Sequence, residues 1–428
     1  MIKIIGAGLA GSEAAYYLAN KGYQVKLYEM RPKKLTPAHV TGNFAELVCS
    51  NSFRSNDPLN AVGLLKHEMA KFDSLILKAA EIYKVPAGSS LAVDRHLFSA
   101  YITEQIKAHP NIEVIHEEVT SLNPDAYTII AAGPLASDQL SLDIQNQLHL
   151  ESLNFFDAVA PIIEASSINM DIAYIKSRYD KDEAAYINCP MNKEEYLAFY
   201  KALMAAESVA PKDFEHNVFE GCMPVEDMGK RGIDTLRFGP LKPVGLNKPN
   251  GEKPYAVVQL RQDDLNKTMY NMVGFQTHMK WGDQKRVIKM IPGLENANIL
   301  RYGVIHKNTY LESPKHLNAA FQVKNKSKWF FAGQISGVEG YVESAASGIQ
   351  VAVNLHHLLT KGEIAPLPVD TMMGAMARYI SNYHRYFVPM NANFGLLDSV
   401  EGNKQTRKQL YYDRAMRSLD KYLKETAL

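Results

Sequence analysis

The stretch MIKIIGAGLAGSEAAYYLANKGYQVKLYEMR, residues 1 to 31, decides the fold. It opens with an apolar run, residues 2 to 5, of the kind that forms a strand buried on both faces. Three glycines come next at G-x-G-x-x-G spacing: Gly6, Gly8 and Gly11. A helix is predicted over residues 12 to 20, and a second apolar run, residues 24 to 28, ends at Glu29. This order predicts a β-α-β unit that binds a dinucleotide.

The residue types of this unit suit a pyrophosphate. The first glycine makes a tight turn, the second lets backbone N–H groups approach the phosphates, and the third lets the helix pack closely on the strand. The helix N-terminus favours the anion, and Glu29 is placed to accept hydrogen bonds from ribose hydroxyls. FAD and NAD use the same cradle. The predicted cofactor contacts are Gly6, Ala7, Gly8, Leu9, Ala10, Gly11, Glu29 and Arg31.

Length and composition limit the remaining possibilities. At 428 residues the chain exceeds the usual size of a single core, so two domains are expected. Apolar residues make up 46% and charged residues 22%, which is typical of globular proteins. No apolar run approaches the roughly 20 residues that cross a membrane. Because the net charge is +1, any contact with nucleic acid requires locally placed positive charge.

The chain contains three cysteines: Cys49, Cys189 and Cys222. The glycine motif starts at the first residues, so we expect no signal peptide or transit segment. An odd number of cysteines in such a chain indicates reduced thiols and a cytoplasmic location. The sequence has no CxxC or Cys/His spacing typical of zinc sites, so no metal is expected.

Residues 32 to 57 form a long segment without helical or strand periodicity. A segment this long, rich in Ser, Asn and Arg and directly after the cofactor unit, indicates a functional loop. Cys49 lies inside it, beside Ser50, Asn51 and Arg54. Polar and cationic neighbours favour a reactive thiol, whereas a single cysteine is commonly an inert buried residue. From the residues alone, both interpretations stay open.

Apolar periodicity predicts the elements that follow. Residues 61 to 83 are predicted as one long helix, and an amphipathic helix is predicted after Arg95. The predicted strands are residues 90 to 94, 112 to 116 and 128 to 132. The last of these strands runs into Gly133, a strand-to-turn boundary that often accompanies flavin domains.

The character of the sequence changes near Pro161 to long polar runs with Tyr and Met, which predicts a domain boundary. Three unusual segments follow: residues 186 to 191, 219 to 224 and 273 to 281. In the second, Cys222 lies between a glycine and a proline, on a constrained turn. The third reads as a strand that ends in His278 and Trp281. His278 is either a satisfied interior histidine or, with Trp281, a stacking platform for a flat heterocycle.

A second strand–glycine–helix unit occurs late in the chain. Residues 329 to 332 predict a buried strand, and a glycine-rich segment then leads into a helix over residues 344 to 359. Two such units, one near each end of the chain, favour a flavin over a nicotinamide as the resident cofactor. The additional predicted contacts are Gly133, Gly333, Gln334, Gly340, Tyr341 and Val342.

The predicted fold is α/β, with a Rossmann-like FAD-binding domain split between the chain ends and a smaller inserted α+β domain. Its limits are residues 1–160 and 318–428 for the FAD-binding domain and 161–317 for the inserted, substrate-facing domain. A C-terminal helix is predicted over residues 403 to 424, with five basic residues on one side: Arg407, Arg414, Arg417, Lys421 and Lys424. This side is either an ordinary solvated face or a surface that contacts RNA phosphates.

Together the motifs resemble the folate- and FAD-dependent RNA uracil-C5 methyltransferases. Matching runs cover nearly the whole chain in order, and they include GAGLAGSEAA (6–15), ELVCSNSFRS (46–55), FEGCMPVE (219–226), VGFQTHMKWGDQKRV (273–287) and AGQISGVEGYVESAASG (332–348). The relation to the tRNA-uridine carboxymethylaminomethyl flavoproteins is limited to the fold and the FAD cradle.

The resemblance implies FAD, 5,10-methylenetetrahydrofolate as carbon donor, and NADH or NADPH as reductant. The implied substrate is RNA, either a T-loop uridine of tRNA or a uridine of 23S rRNA in the large subunit. No membrane association is expected. The two family cysteines correspond to Cys49 and Cys222, and Cys189 receives no catalytic role. The residues expected to position folate and substrate are Arg95, His278, Trp281 and Glu343.

Thiols suit this chemistry because uracil C5 becomes nucleophilic once a thiolate adds to C6. Cys222 is assigned to that addition, and Cys49 to removal of the C5 proton or to handling of the methylene. Two alternatives have different functions. One is an NAD(P)H-dependent flavin oxidoreductase without an RNA substrate, and the other is an RNA-binding or partner-docking protein in which FAD is only structural.

Overall fold

The structure is a computed structural model, and it describes residues 1–150, 154–158, 160–178, 185–209, 223–303, 305–384, 387–403 and 406–426. For residues 154–158 and 305–308 only the backbone is described. Cys222, one of the two predicted catalytic residues, lies outside these ranges.

Strands and helices alternate through the first 150 residues. They are β1 (Ile2–Ile5), α1 (Leu9–Asn20), β2 (Val25–Tyr28), β3 (Ser52–Ser55), α2 (Ala61–Ala70), α3 (Leu75–Ile82), β4 (Lys84–Val85), β5 (Ser90–Val93), α4 (Arg95–Ala108), β6 (Ile112–Ile115), β7 (Thr128–Ile130) and α5 (Asp138–Leu148).

The middle of the chain is richer in strands. Its elements are β8 (Asn154–Ala158), β9 (Ile162–Glu164), β10 (Tyr174–Ile175), β11 (Tyr186–Met191), α6 (Lys193–Met204), α7 (Val225–Lys230), α8 (Thr235–Phe238), β12 (Ala256–Gln262), β13 (Met269–Met272), α9 (Trp281–Ile288), β14 (Ile299–Arg301) and β15 (Ile305–Thr309). The last part contains α10 (Ser313–His316), β16 (Gln322–Val323), β17 (Lys326–Phe331), α11 (Tyr341–Lys361), α12 (Met372–Ser381) and α13 (Thr406–Thr426).

The first sheet combines both ends of the chain. Its order is β16-β17-β7-β1-β2-β6, and all pairs are parallel except β16 with β17. Helices α1 and α11 pack against each other, and Gly348 permits their close approach because a Cβ there would lie 2.2 Å from the carbonyl oxygen of Ala10. The predicted α/β fold with a Rossmann-like sheet split between the chain ends is confirmed. The domain limits 1–160, 161–317 and 318–428 stay a prediction.

The second sheet is antiparallel and has the order β10-β11-β12-β13-β9-β14. One face is apolar and forms a separate core with α6 and α9; its residues include Ile187, Cys189, Met191, Val258 and Leu260. The opposite face is polar and meets the first domain, where Tyr186 Oη donates to the carbonyl of Ala87 at 3.1 Å and Arg261 Nε donates to Asn51 Oδ1 at 2.9 Å. The polar face therefore lies next to the loop that contains Cys49.

Several predicted elements differ from the structure. The helix predicted over residues 61 to 83 is divided into α2 and α3, because Asp73 adopts φ +61° and Ser74 accepts a hydrogen bond from the N–H of Leu77 as an N-cap. The strand predicted over residues 273 to 281 is also wrong. Apart from a single β-bridge between Met279 and Ser208, those residues are irregular up to Lys280, and α9 begins at Trp281.

None of the helices among the described residues is long and apolar enough to span a membrane. The same residues contain no group of three His, Cys, Asp or Glu side chains arranged to hold a metal ion.

Candidate functional site

A deep cleft opens where β1, β2 and β7 end and where α1 and α11 begin. Most of the predicted cofactor residues line it: Gly6, Gly8, Leu9, Ala10, Glu29, Arg31, Gly133, Gly333, Gln334 and Tyr341. Four others do not: Ala7, Gly11, Gly340 and Val342. The cleft lies at the carboxyl ends of parallel strands, which is where doubly wound sheets bind their ligands.

The residues at the cleft fit a dinucleotide. Gly6 has φ +97°, and a Cβ on Gly11 would come within 1.8 Å of the Gly6 carbonyl oxygen, so the turn requires glycine. A Cβ on Gly8 would meet nothing within 4 Å, which leaves open space at the start of α1. The N-cap residues of α1 and α11 are Gly8 and Gly340, which provide no side-chain cap, whereas α4 is capped by the side chain of Asp94. Their first N–H groups are thus available to a phosphate.

Glu29 is held by Arg31. Its Oε1 accepts from the N–H and Nε of Arg31, both at 3.0 Å, and its Oε2 accepts from the Ala7 N–H at 3.0 Å and from Arg31 Nη2 at 3.2 Å. Burial alone would raise the pKa of Glu29, but these hydrogen bonds and the charge of Arg31 outweigh burial and lower the pKa. The four donors occupy the four lone-pair positions of the carboxylate. A ribose hydroxyl must therefore share or displace one of the bonds from Arg31.

Cys49 lies between this cleft and a second pocket. Its backbone N–H donates to Tyr341 Oη at 2.8 Å, and Tyr341 lines the cleft at the start of α11. The half-buried Cys49 itself lines the second pocket, together with Ser50, Ser52, Arg54, Ala160, Arg261, Asn271, Met272, Val273, Gly274 and Gln276. The structure thus favours the functional interpretation of Cys49 over an inert core residue.

Two arginines hold the backbone that precedes Cys49. Arg95 Nη1 donates to the carbonyl of Leu47 at 2.9 Å, and Arg301 Nη2 donates to the carbonyl of Val48 at 2.6 Å. Both guanidinium groups also interact electrostatically with Cys49. Cationic neighbours favour the thiolate, which is the reactive form of cysteine.

Arg95 has a carboxylate partner from the second sheet. Its Nη2 donates to Asp263 Oδ1 at 2.7 Å, and both side chains are buried. This ion pair joins α4 to the segment that follows β12. The structure therefore places Arg95 as a group that positions the Cys49 loop, and its predicted contact with folate stays a prediction.

His278 and Trp281 lie in different environments. His278 is buried, with Nε2 at 3.0 Å from Asp227 Oδ2 and at 3.3 Å from Glu226 Oε1. Burial raises the pKa of Glu226. Trp281 is 62% exposed and stacks on Tyr302 with the ring centroids 5.3 Å apart. Within the described chain, no ring contact joins the histidine to the indole, so the geometry favours the interior interpretation of His278.

Glu343 connects the start of α11 to the second pocket. It is fully buried, pairs with Arg54 and accepts a hydrogen bond from the Ala392 N–H at 2.8 Å. Among the described residues, its Oε2 has no donor. Because Arg54 lines the second pocket, this ion pair gives the pocket a cation with a fixed position. The predicted contact of Glu343 with folate or substrate stays a prediction.

The other two cysteines lie differently. Cys189 is fully buried in β11, and burial raises the pKa of its thiol far above the usual range. On either side of residues 210–222, which include Cys222, the Val209 N–H donates to the His278 carbonyl at 2.8 Å and the Val225 N–H donates to the Gln276 carbonyl at 2.7 Å. Gln276 lines the pocket that contains Cys49.

Three polar residues of this region were not among the predicted site residues: Asn51, Arg261 and Asn271. They are buried where the polar face of the second sheet meets the Cys49 loop. A signal was available for one of them, because Arg261 interrupts the otherwise uncharged strand Ala256–Gln262. A charged residue in a buried strand indicates a partner or a ligand.

Comparisons with known proteins agree with these features. The family model described as "Glucose inhibited division protein A" (GIDA) matches residues 1–363. A protein of Acholeplasma laidlawii named "Methylenetetrahydrofolate--tRNA-(uracil-5-)-methyltransferase TrmFO" is 86% identical over 423 residues, which is 99% of each chain. Its namesake from Bacillus subtilis is 56% identical over 424 residues, 98% of this chain and 97% of the relative.

A solved structure of Aquifex aeolicus GidA matches with a TM-score of 0.70 and 15% identity over 98% of this chain and 73% of that one. At this identity the likeness shows the fold alone. The two TrmFO sequences match over nearly their full length. The chain therefore belongs to the TrmFO family of methylenetetrahydrofolate--tRNA-(uracil-5-)-methyltransferases, within the wider GIDA family.

Proposed function

We propose that the protein methylates C5 of a uridine in tRNA and takes the carbon from methylenetetrahydrofolate. The observation that carries this proposal is the 86% identity, over 99% of the chain, to a relative with that name. The relatives' names favour tRNA over 23S rRNA as the substrate, and they give no support to a flavin oxidoreductase without RNA. We place the reaction in the cytoplasm because the odd number of cysteines suits a reducing compartment.

The cleft is proposed to hold FAD. The first N–H groups of α1 and α11 bind the pyrophosphate, and Glu29 binds the adenosine ribose as its bonds from Arg31 rearrange. When bound, FAD supplies the electrons that reduce the transferred carbon to a methyl group, and NADH or NADPH resupplies them. Tyr341, whose hydroxyl holds the N–H of Cys49, fixes that cysteine at the edge of the same cleft.

The thiols are proposed to carry the chemistry on the uracil. A thiolate forms a bond to C6, and the C5=C6 electron pair moves to the C4 carbonyl and gives an enolate. C5 then attacks the methylene carbon, a base removes the C5 proton, and the enolate expels the nitrogen that carried the carbon, which leaves an exocyclic methylene on C5. Addition of hydride to this methylene, with expulsion of the thiolate from C6, gives the methyl group and restores the C5=C6 double bond. We assign Cys222 to the addition and Cys49 to proton removal or to handling of the methylene. The position of Cys49 between the cleft and the second pocket supports its role.

Helix α13 is proposed to contact the tRNA backbone. Four of its basic side chains are exposed to solvent: Arg407, Arg417, Lys421 and Lys424. The fifth, Arg414, instead lies beside Asp370 with its Nε at 3.5 Å from Oδ1. With a net charge of only +1, RNA binding requires such local clusters.

The test is a methylation assay with the purified flavoprotein. tRNA transcribed without modification is incubated with methylenetetrahydrofolate labelled in the methylene carbon and with NADH or NADPH, and nucleosides are analysed by mass spectrometry. Labelled 5-methyluridine is expected with the wild type, and its absence from every tRNA tried would overturn the proposal. Cys222→Ala and Cys49→Ala are expected to abolish the product. Cys189→Ala is the matched control and retains activity, because Cys189 is sealed in the core of the second sheet.

A further inference from the structure

Two buried side chains in the second pocket carry nitrogen donors that have no acceptor among the described residues. Arg261 is 7% exposed, and while its Nε donates to Asn51, its two terminal nitrogens have no acceptor among the described residues. Asn271 is 2% exposed, and its Nδ2 likewise has no acceptor in the described part of the chain. Buried donors are usually satisfied, since leaving one unpaired costs about 1–3 kcal/mol. Both residues line the pocket that contains Cys49.

The two donors are held side by side. Arg261 of β12 and Asn271 of β13 are directly paired in the antiparallel register, so their side chains leave the same face of the sheet. Asn51 fixes the guanidinium from the other side, because its Nδ2 donates to the carbonyls of Val93 and Gln262 at 2.9 and 2.8 Å. Asn51 lies two residues from Cys49, so the thiol and the guanidinium are anchored by the same loop.

The charge of Arg261 is also incompletely balanced. Burial and the nearby Arg95 lower its pKa, whereas Tyr186 and Asp263 act in the opposite direction. Asp263 itself is ion-paired with Arg95. A guanidinium in this position gains most from a ligand oxygen that carries negative charge.

We propose that Arg261 and Asn271 bind the C4 carbonyl oxygen of the target uridine and stabilise the enolate that forms there. This inference rests on the proposed function and adds two catalytic residues to it. As the thiolate adds to C6, the C5=C6 electron pair moves to C4–O4, and the negative charge develops on the oxygen that faces these donors. Donors that are fixed before the reaction need no reorganisation when the charge appears, and they stabilise the transition state more than the ground state.

The experiment compares oxygen and sulfur at position 4 of the target. tRNA is assembled with uridine or 4-thiouridine at that position, and single-turnover methylation rates are measured for the wild type, Arg261→Gln and Asn271→Ala. On the uridine substrate each variant is expected to lose about 10²–10³-fold in rate. Sulfur is a weaker acceptor, so the same substitutions are expected to cost less on the 4-thiouridine substrate. Equal losses on both substrates would overturn the assignment to O4.

A second readout follows the thiol addition without the carbon transfer. With 5-fluorouridine in the tRNA, the covalent enzyme–RNA adduct is scored on a denaturing gel, and Arg261→Gln is expected to form it much more slowly. Arg178→Gln is the matched control, because Arg178 contacts the same sheet through Gln259 Oε1 at 2.8 Å but does not line the pocket. Flavin content and melting temperature show whether each variant is folded. Should the Arg261 variant misfold, Asn271→Ala carries the test.

The outcomes separate the two proposals. If the wild type makes no 5-methyluridine, the proposed function fails. If the wild type is active and the folded Arg261→Gln and Asn271→Ala proteins retain its rate, only the assignment of these two donors is overturned.

Discussion

Replacing Gly348 by alanine is predicted to force apart the two helices that enclose the cofactor cleft. Gly348 is buried in α11, and a Cβ there would lie 2.2 Å from the carbonyl oxygen of Ala10 in α1. Ordinary contact begins at 3.4 Å, so the helices must separate by about 1 Å. Since the obstacle is backbone, it cannot rotate away as a side chain would.

The expected magnitude combines two opposing effects. Alanine is favoured over glycine in a helix interior by about 1 kcal/mol. Overpacking costs about 1–3 kcal/mol, and a clash with backbone belongs at the upper end of that range. We expect a net loss of about 2 kcal/mol in the free energy of unfolding, or a fall in melting temperature of roughly 2 °C for a chain of 428 residues. Because Ala10 lines the cleft, FAD retention is expected to fall as well.

The assay is thermal unfolding followed by circular dichroism, with flavin content taken from the absorbance of the purified protein. Gly282→Ala is the matched control, because Gly282 lies in α9 and a Cβ there meets nothing within 4 Å. The control is expected to melt at or slightly above the wild type. If Gly348→Ala melts as the wild type does and keeps its full flavin, the helix contact does not limit the fold and the reasoning is wrong.

Three other perturbations have defined outcomes. Burial raises the pKa of Glu68 to about 8, although the backbone N–H groups of Met372 and Met373 donate hydrogen bonds that lower it. The contribution of Glu68 to stability is therefore fully present below its unfolded-state pKa and is lost as the pH rises towards 8. Urea unfolding of Glu68→Gln from pH 5.5 to 8.5 should show a flatter pH dependence than that of the wild type. Arg31→Ala leaves Glu29 and Glu46 as buried carboxylates without their cation, so chemical unfolding should show a loss of about 3–5 kcal/mol. A variant of α13 in which Arg417, Lys421 and Lys424 are all glutamine should bind tRNA with a weaker salt dependence. The slope of the logarithm of the association constant against the logarithm of the salt concentration should fall in magnitude by about 0.7 for each phosphate that the helix no longer neutralises.

The parts that could be predicted from the sequence depend on local signals. The first β-α-β unit follows from an apolar run, glycine spacing and helical periodicity within about 30 residues. The late strand β17 and helix α11 carry the same signals, and both occur where the sequence predicts them within a few residues. A local signal for the break between α2 and α3 was also present, namely Asp73 followed by the N-cap residue Ser74. The continuous apolar stripe from residue 61 to residue 83 concealed this signal.

The errors arose where interactions between distant segments replace local periodicity. Residues 273 to 281 alternate in polarity, which favoured a strand. In the structure the backbone groups there bind instead to flanking segments, through Val209 to His278 and through Val225 to Gln276. His278 is buried against acids of α7, whereas Trp281 begins α9 and faces solvent. No pattern within nine residues distinguishes these two environments.

The polar residues around Cys49 could not be assembled from one sequence for a related reason. Asn51 contacts Arg261 and Gln262 across about 210 residues, and Arg95 contacts Asp263 across 168. These hydrogen bonds join the Cys49 loop and α4 to β12 and the segment that follows it, whereas Tyr341 of α11 holds Cys49 from the cofactor side. Each partner alone is an ordinary buried polar residue. The thiol acquires its position, its cations and its place in the second pocket only where the two sheets meet, and that is why the site belongs to neither half of the chain by itself.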